Sequence, residues 1–125
     1  MKLLLNNPDQ FQIIRSCEKS GHRYQIRIGD TLYQESMILT SEKLEMWPIS
    51  QVSDLKNEDF VHFANLGAEV LILGTGNTMV FPDPVITQAL MEKGIGMEVM
   101  DTAAACRTYN ILISDGRSVV AGLML

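Results

Sequence analysis

The chain has 125 residues, 46% of them apolar, which is enough to bury one core and too few for two ordinary domains. Ten Lys and Arg against fifteen Asp and Glu leave a formal charge of -5, the wrong sign for neutralising phosphates along a nucleic acid or an anionic lipid surface. No run is long and apolar enough to read as a membrane insertion.

At the start, Lys2 precedes three leucines before Asn6, Asn7 and Pro8 break the run. That is short of the ~7–15 apolar residues of a secretory signal, and no Arg-rich amphipathic leader is present, so the expectation is a cytoplasmic protein. The two cysteines, Cys17 and Cys106, lie far apart without a Cys-x-x-Cys pairing. They read as reduced thiols, with a bridge between them as the minor alternative.

Residues 11–17 suggest a first strand. From Arg23 the chain alternates, with Tyr24, Ile26 and Ile28 on one side and Arg23, Gln25 and Arg27 on the other, as a half-buried strand requires. Gly29 and Asp30 then make a two-residue turn into a second β-like run, so residues 22–40 read as an antiparallel hairpin. Trp47 reads as a core or edge anchor, and Pro48 beside it marks an edge or a turn.

A short amphipathic helix is expected from Asn57, with Glu58 and Asp59 in its first turn, Phe60, Phe63, Ala64 and Leu66 as its apolar set and Gly67 as its stop. His62 falls four residues after Glu58, which suggests an exposed pair on the helix face. The almost unbroken apolar run of residues 69–74 marks a central strand buried on both faces. Asp83 and Pro84 open a second helix that Gly94 closes. "GMEVM" reads as a strand, residues 102–116 as a third helix and residues 118–125 as the last strand. The second half therefore alternates helix and strand, and the fold class is α/β.

The "GTGN" after the central strand invites comparison with a phosphate cradle. A dinucleotide fingerprint needs a third glycine opening a helix, but Met79 stands there and two prolines delay the next helix. Nor is there the Gly-Lys-Ser/Thr ending of a P-loop. The simpler account is a strand ending in a tight turn. His22 and His62 have no ligand spacing, so no metal is expected. In the third helix Ala104, Ala105, Cys106, Tyr109, Ile111, Leu112 and Ile113 cover most of the circumference, leaving Arg107, Asn110 and Ser114 as a narrow polar stripe. An arginine there either reaches solvent or an internal acid, or forms the floor of a polar pocket. Cys106 reads as a buried thiol rather than a nucleophile, because a cap at Asp101 leaves it in the second helical turn.

Taken together, "LILGTGNTMVFP", "GIGMEVMDTAAACRTYN" and "SDGRSVVAGL" resemble a small domain family whose members include a mitochondrial complex I assembly factor and an adipogenesis-associated protein. The family's motif falls on Gly74, Thr75, Gly76, Asp101, Thr102, Ala105, Thr108, Tyr109, Asn110 and Arg117. The resemblance, running from about residue 22 to 124, implies a single three-layer α/β domain with an N-terminal antiparallel sheet, a mixed sheet and packed helices. It implies no assured enzymatic activity.

The expectation is thus a non-enzymatic cytoplasmic domain without cofactor, acting on an unidentified protein partner as an assembly or accessory factor, with a homo-oligomer left open. The alternative is a small anionic ligand-binding module, with Gly74, Thr75, Gly76 and Asn77 as rim and Arg107 with Asn110 as floor.

Overall fold

A computed structural model describes residues 12–125. The reading of residues 1–10 as lacking a signal, and the Phe11 end of the first strand, fall outside these. Strand β1 (Ile14–Ser20) pairs antiparallel with β2 (Arg23–Ile28), and β2 with β3 (Thr31–Tyr33), as a three-stranded sheet. Gly29 adopts φ 59°, and Ile28 faces Thr31 across the two-residue turn. The hairpin predicted here is present but shorter than residues 22–40.

Its second strand breaks at residues 34–36, and β4 (Met37–Leu39) belongs to a different sheet. The reason is polarity: Met37, Ile38 and Leu39 are apolar at consecutive positions and need cover on both faces, which a half-exposed hairpin cannot provide. β4 joins β5 (Leu44–Met46), β6 (Val70–Gly74), β7 (Gly96–Met100) and β8 (Val119–Leu123) in a five-stranded mixed sheet ordered β5-β4-β8-β6-β7. β6 runs parallel to both β7 and β8, while β4 is antiparallel to β5 and β8. Trp47 extends the β5 edge by donating its N–H to the Ser36 carbonyl at 2.9 Å, and Pro48 ends the pairing.

Helix α1 (Asn57–Ala64) precedes β6, α2 (Gln88–Glu92) joins β6 to β7 and α3 (Thr102–Ser114) joins β7 to β8, as the alternation requires. The Asp83 carboxylate accepts from the Val85 N–H, but the first turn, Pro84–Thr87, is a 3-10 helix that tightens into α2.

Two apolar layers flank the large sheet. Val70 and Ile72 of β6 and Val119, Ala121 and Leu123 of β8 pack with α3 and with Tyr24, Ile26 and Ile28 of the small sheet. Their neighbours Leu71, Leu73 and Val120 face the other way, onto Phe60 and Phe63 of α1, Leu90 of α2 and Trp47. The order is therefore α1 and α2, the mixed sheet, then α3 with the small sheet. Two glycines set the spacing of these layers. A Cβ on Gly74 would lie 2.9 Å from the Ala105 Cβ and 3.1 Å from the Thr102 Cα, so α3 seats directly on β6. On the opposite face, a Cβ on Gly122 would meet Phe63 at 2.9 Å and Trp47 at 3.1 Å, where those rings pack edge to face.

Two smaller expectations are corrected. His62 does not pair with Glu58: its Nε2 lies 2.8 Å from a carboxylate oxygen of Glu45 on the neighbouring edge strand. Cross-element packing supplies a closer partner than the helix face. Ile111 is 60% exposed rather than buried. It lies one turn beyond the exposed Arg107, on the side of α3 turned away from both sheets.

Candidate functional site

The glycine turn is built around Thr102. Its hydroxyl accepts from the Gly76 N–H at 2.8 Å and donates to the Met124 carbonyl at 2.7 Å, while its own N–H reaches the Gly76 carbonyl at 2.9 Å. Thr75 donates its N–H to the Met100 carbonyl at 2.9 Å, and its hydroxyl donates to the Thr78 carbonyl at 2.5 Å and accepts from the Val80 N–H at 3.1 Å. Asn77 reaches across to donate to the His22 carbonyl at 3.0 Å. The amides of Thr75 and Gly76, which a phosphate would need, are thus engaged within the fold. Asp101 caps α3 by accepting from the Ala104 N–H at 2.9 Å.

Arg107 and Asn110 lie elsewhere. Together with Ile14, Cys17, Ala103 and Cys106 they line a cavity of ≈ 280 Å³ between β1 and α3, and none of residues 74–77 lines it. Asn110 clamps β1 to the helix: its Oδ1 accepts from the Ile14 N–H at 2.9 Å and its Nδ2 donates to the Ile14 carbonyl at 2.7 Å. One turn back on the same helix face, the buried Cys106 lines this cavity together with Cys17 of β1.

The geometry of β1 explains how Cys17 reaches this position. Ile14 and Cys17 are an odd number of residues apart, which in a regular strand puts them on opposite faces. A bulge between Ile14 and Ser16 shifts the register, so that Ile14 faces Ile28 and Cys17 faces Ile26, both inward-pointing residues. The extra residue turns Cys17 toward α3.

The two thiols are electrostatically unlike. The hydrogen bond from Cys106 holds the Cys17 thiol below its ordinary value, with Arg107 adding to the effect and partial burial and Asp101 opposing it. Cys106 is pushed far up by donating to Cys17, then by burial and by the Cys17 charge, with Arg107 opposing. Neighbouring Tyr24 is raised by burial and by Asp101. Both cysteines are free thiols, as the sequence suggested, but their contact depends on a bulge that no residue pattern announces.

A second feature lies between β6 and α2, where Met79, Val80, Phe81 and Val85 are exposed within one segment, Phe81 at 64% and Val85 at 67%. Among the described residues no group of three or more His, Cys, Asp and Glu is arranged to hold a metal, and no helix is long and apolar enough to cross a membrane.

Comparison with known proteins agrees with this architecture. The chain is 35% identical over 117 residues to the Xenopus tropicalis protein named NADH dehydrogenase [ubiquinone] 1 alpha subcomplex assembly factor 3, covering 92% of this chain and 62% of that one. It therefore spans less than two thirds of the length of that relative. A Xanthomonas campestris protein solved by NMR superposes with a TM-score of 0.78 at 31% identity, covering 99% of this chain and 92% of that one. A Bordetella pertussis protein described as a Mth938-like domain superposes with a TM-score of 0.76 at 25% identity, over 90% of this chain and 85% of its own. Residues 18–124 match the family described as "Protein of unknown function (DUF498/DUF598)", and the chain belongs to that family.

Proposed function

We propose that this chain is a cytoplasmic, non-enzymatic assembly or accessory factor that works by contact with another protein. The observation that carries this reading is the exposed apolar segment between β6 and α2. Met79, Val80 and Phe81 are consecutive and Val85 follows four residues on, so their side chains stay in water unless a partner covers them. Relatives named as complex I assembly factors support the same reading.

The test is a Phe81→Ser, Val85→Ser double variant, which removes exposed apolar surface without touching the core. Wild-type protein should recover a reproducible partner in crosslinked native lysate, and the variant should lose it at unchanged folding stability. Equal recovery by both proteins would sink the proposal. Light scattering over a concentration series identifies a second copy of the chain as that partner if mass rises for the wild type alone.

A second reading is a small anionic ligand-binding module. It draws support from Arg107 and Asn110 lining one cavity, with Arg107 making no ion pair among the described residues. It has less support than the first because Asn110 is already committed to Ile14 and the Thr75 and Gly76 amides to the fold. Stabilisation by an anionic metabolite that Arg107→Ala abolishes would establish it.

A further inference from the structure

We propose that Cys17 and Cys106 form a redox-active thiol pair, closing a reversible disulfide that ties the small sheet to α3 in exchange with a low-molecular-weight disulfide such as oxidised glutathione. Three independent features converge on it. The β1 bulge turns Cys17 inward onto α3. Asn110 fixes the Ile14 backbone to the same helix, so that strand and helix are held at one separation beside the thiols. The thiols line a shared cavity with Arg107, Cys17 partly exposed and Cys106 buried, so an external reagent meets Cys17 first.

The chemistry follows from that asymmetry. Cys17 carries the more acidic thiol and is the attacking group. Its sulfur attacks one sulfur of glutathione disulfide, whose S–S bond breaks, and one glutathione thiolate leaves. Capping Cys17 in a mixed disulfide removes its charge. With it go both the hydrogen bond and the charge repulsion that held the Cys106 proton, while the Arg107 cation stays. Cys106 then loses its proton, and its sulfur attacks the Cys17 sulfur and expels the second glutathione. The thiol pair has lost two electrons and two protons, and glutathione disulfide has gained them as two thiols.

Before reaction, Cys17 should alkylate and Cys106 should not until the chain unfolds. With oxidised glutathione the full chain should lose about 2 Da, without a glutathione adduct, and mass mapping should join the Cys17 and Cys106 peptides. The product should melt about 5–15 °C higher, because the bond closes a loop spanning most of the chain, and reductant should reverse the shift. Cys106→Ala should stop at the mixed disulfide on Cys17, and Cys17→Ala should leave Cys106 unmodified. A stable glutathione adduct on wild-type Cys17 with Cys106 still free, a bridge between two chains, or no reaction at all would each overturn the proposal. These readouts on wild-type protein do not depend on either variant folding. They are also separate from the apolar-segment test, so one idea can fail without the other.

Discussion

Thr102 and Gly76 hold each other twice: the Thr102 N–H donates to the Gly76 carbonyl at 2.9 Å and the Gly76 N–H donates to the Thr102 hydroxyl at 2.8 Å. The same hydroxyl continues to the Met124 carbonyl at 2.7 Å, so one fully buried threonine joins the turn after β6, the start of α3 and the end of β8. Thr102→Val keeps the shape and removes the hydroxyl, leaving a part-buried N–H and a buried carbonyl without that partner. It should cost about 2–4 kcal/mol in urea unfolding. A loss below about 0.5 kcal/mol would show that water or a shifted turn replaces the hydroxyl.

Gly74→Ala and Gly122→Ala should each destabilise by about 1–3 kcal/mol, since each added methyl meets its neighbours at 2.9 Å. They differ in which layer moves. Gly122→Ala pushes on Trp47, the chain's single tryptophan, and should shift its fluorescence emission, whereas Gly74→Ala displaces α3 on the other face and should leave emission unchanged.

Asn110→Ala removes both hydrogen bonds to the Ile14 backbone. The global cost should be about 1–3 kcal/mol, with a local signature besides. The Ile14 amide should lose its hydrogen-exchange protection while amides of the central strands β6 and β8 keep theirs.

The Tyr109 hydroxyl donates to the Gln12 carbonyl at 2.7 Å and the Thr40 carbonyl at 3.2 Å. Burial pushes it up from 10.0, so the folded chain keeps a proton that the unfolded chain releases. The stability this lends is complete below pH 10.0 and is lost as pH rises toward the folded value. Tyr109→Phe should cost about 1–2 kcal/mol at neutral pH and make stability fall less steeply above pH 10 than in the wild type. Parallel slopes for the two proteins would assign the alkaline loss to other groups.

Much of this fold could be read in the residues because its central strands and helix ends carry strong local signals. Residues 70–74 are apolar without interruption because β6 is covered on both faces, and Asp101, Asp83 and Gly94 mark helix ends by their own hydrogen bonding or backbone freedom. The features that could not be read depend on pairing between distant segments. The transfer of residues 37–39 to the large sheet depends on β8, and the Glu45 partner of His62 on a neighbouring edge strand. The candidate site divides in the same way. Gly74 and Gly76 are prominent in sequence, yet they serve the approach of α3 to the sheet. The contact of Cys17 with Cys106 turns on one extra residue in β1, and the parity of a strand cannot be counted until its partner is known.

The strand order also constrains when the molecule can form. β8 follows every other described element in the chain, yet it lies between β4 and β6 and supplies the seam joining the antiparallel and parallel halves of the large sheet. Before it emerges during synthesis, β4 with β5 and β6 with β7 can pair, but the two halves have no common edge and both apolar layers stay open. Native assembly therefore waits for β8, and until that strand joins, the nascent chain presents the unpaired edges of β4 and β6 to whatever is nearby.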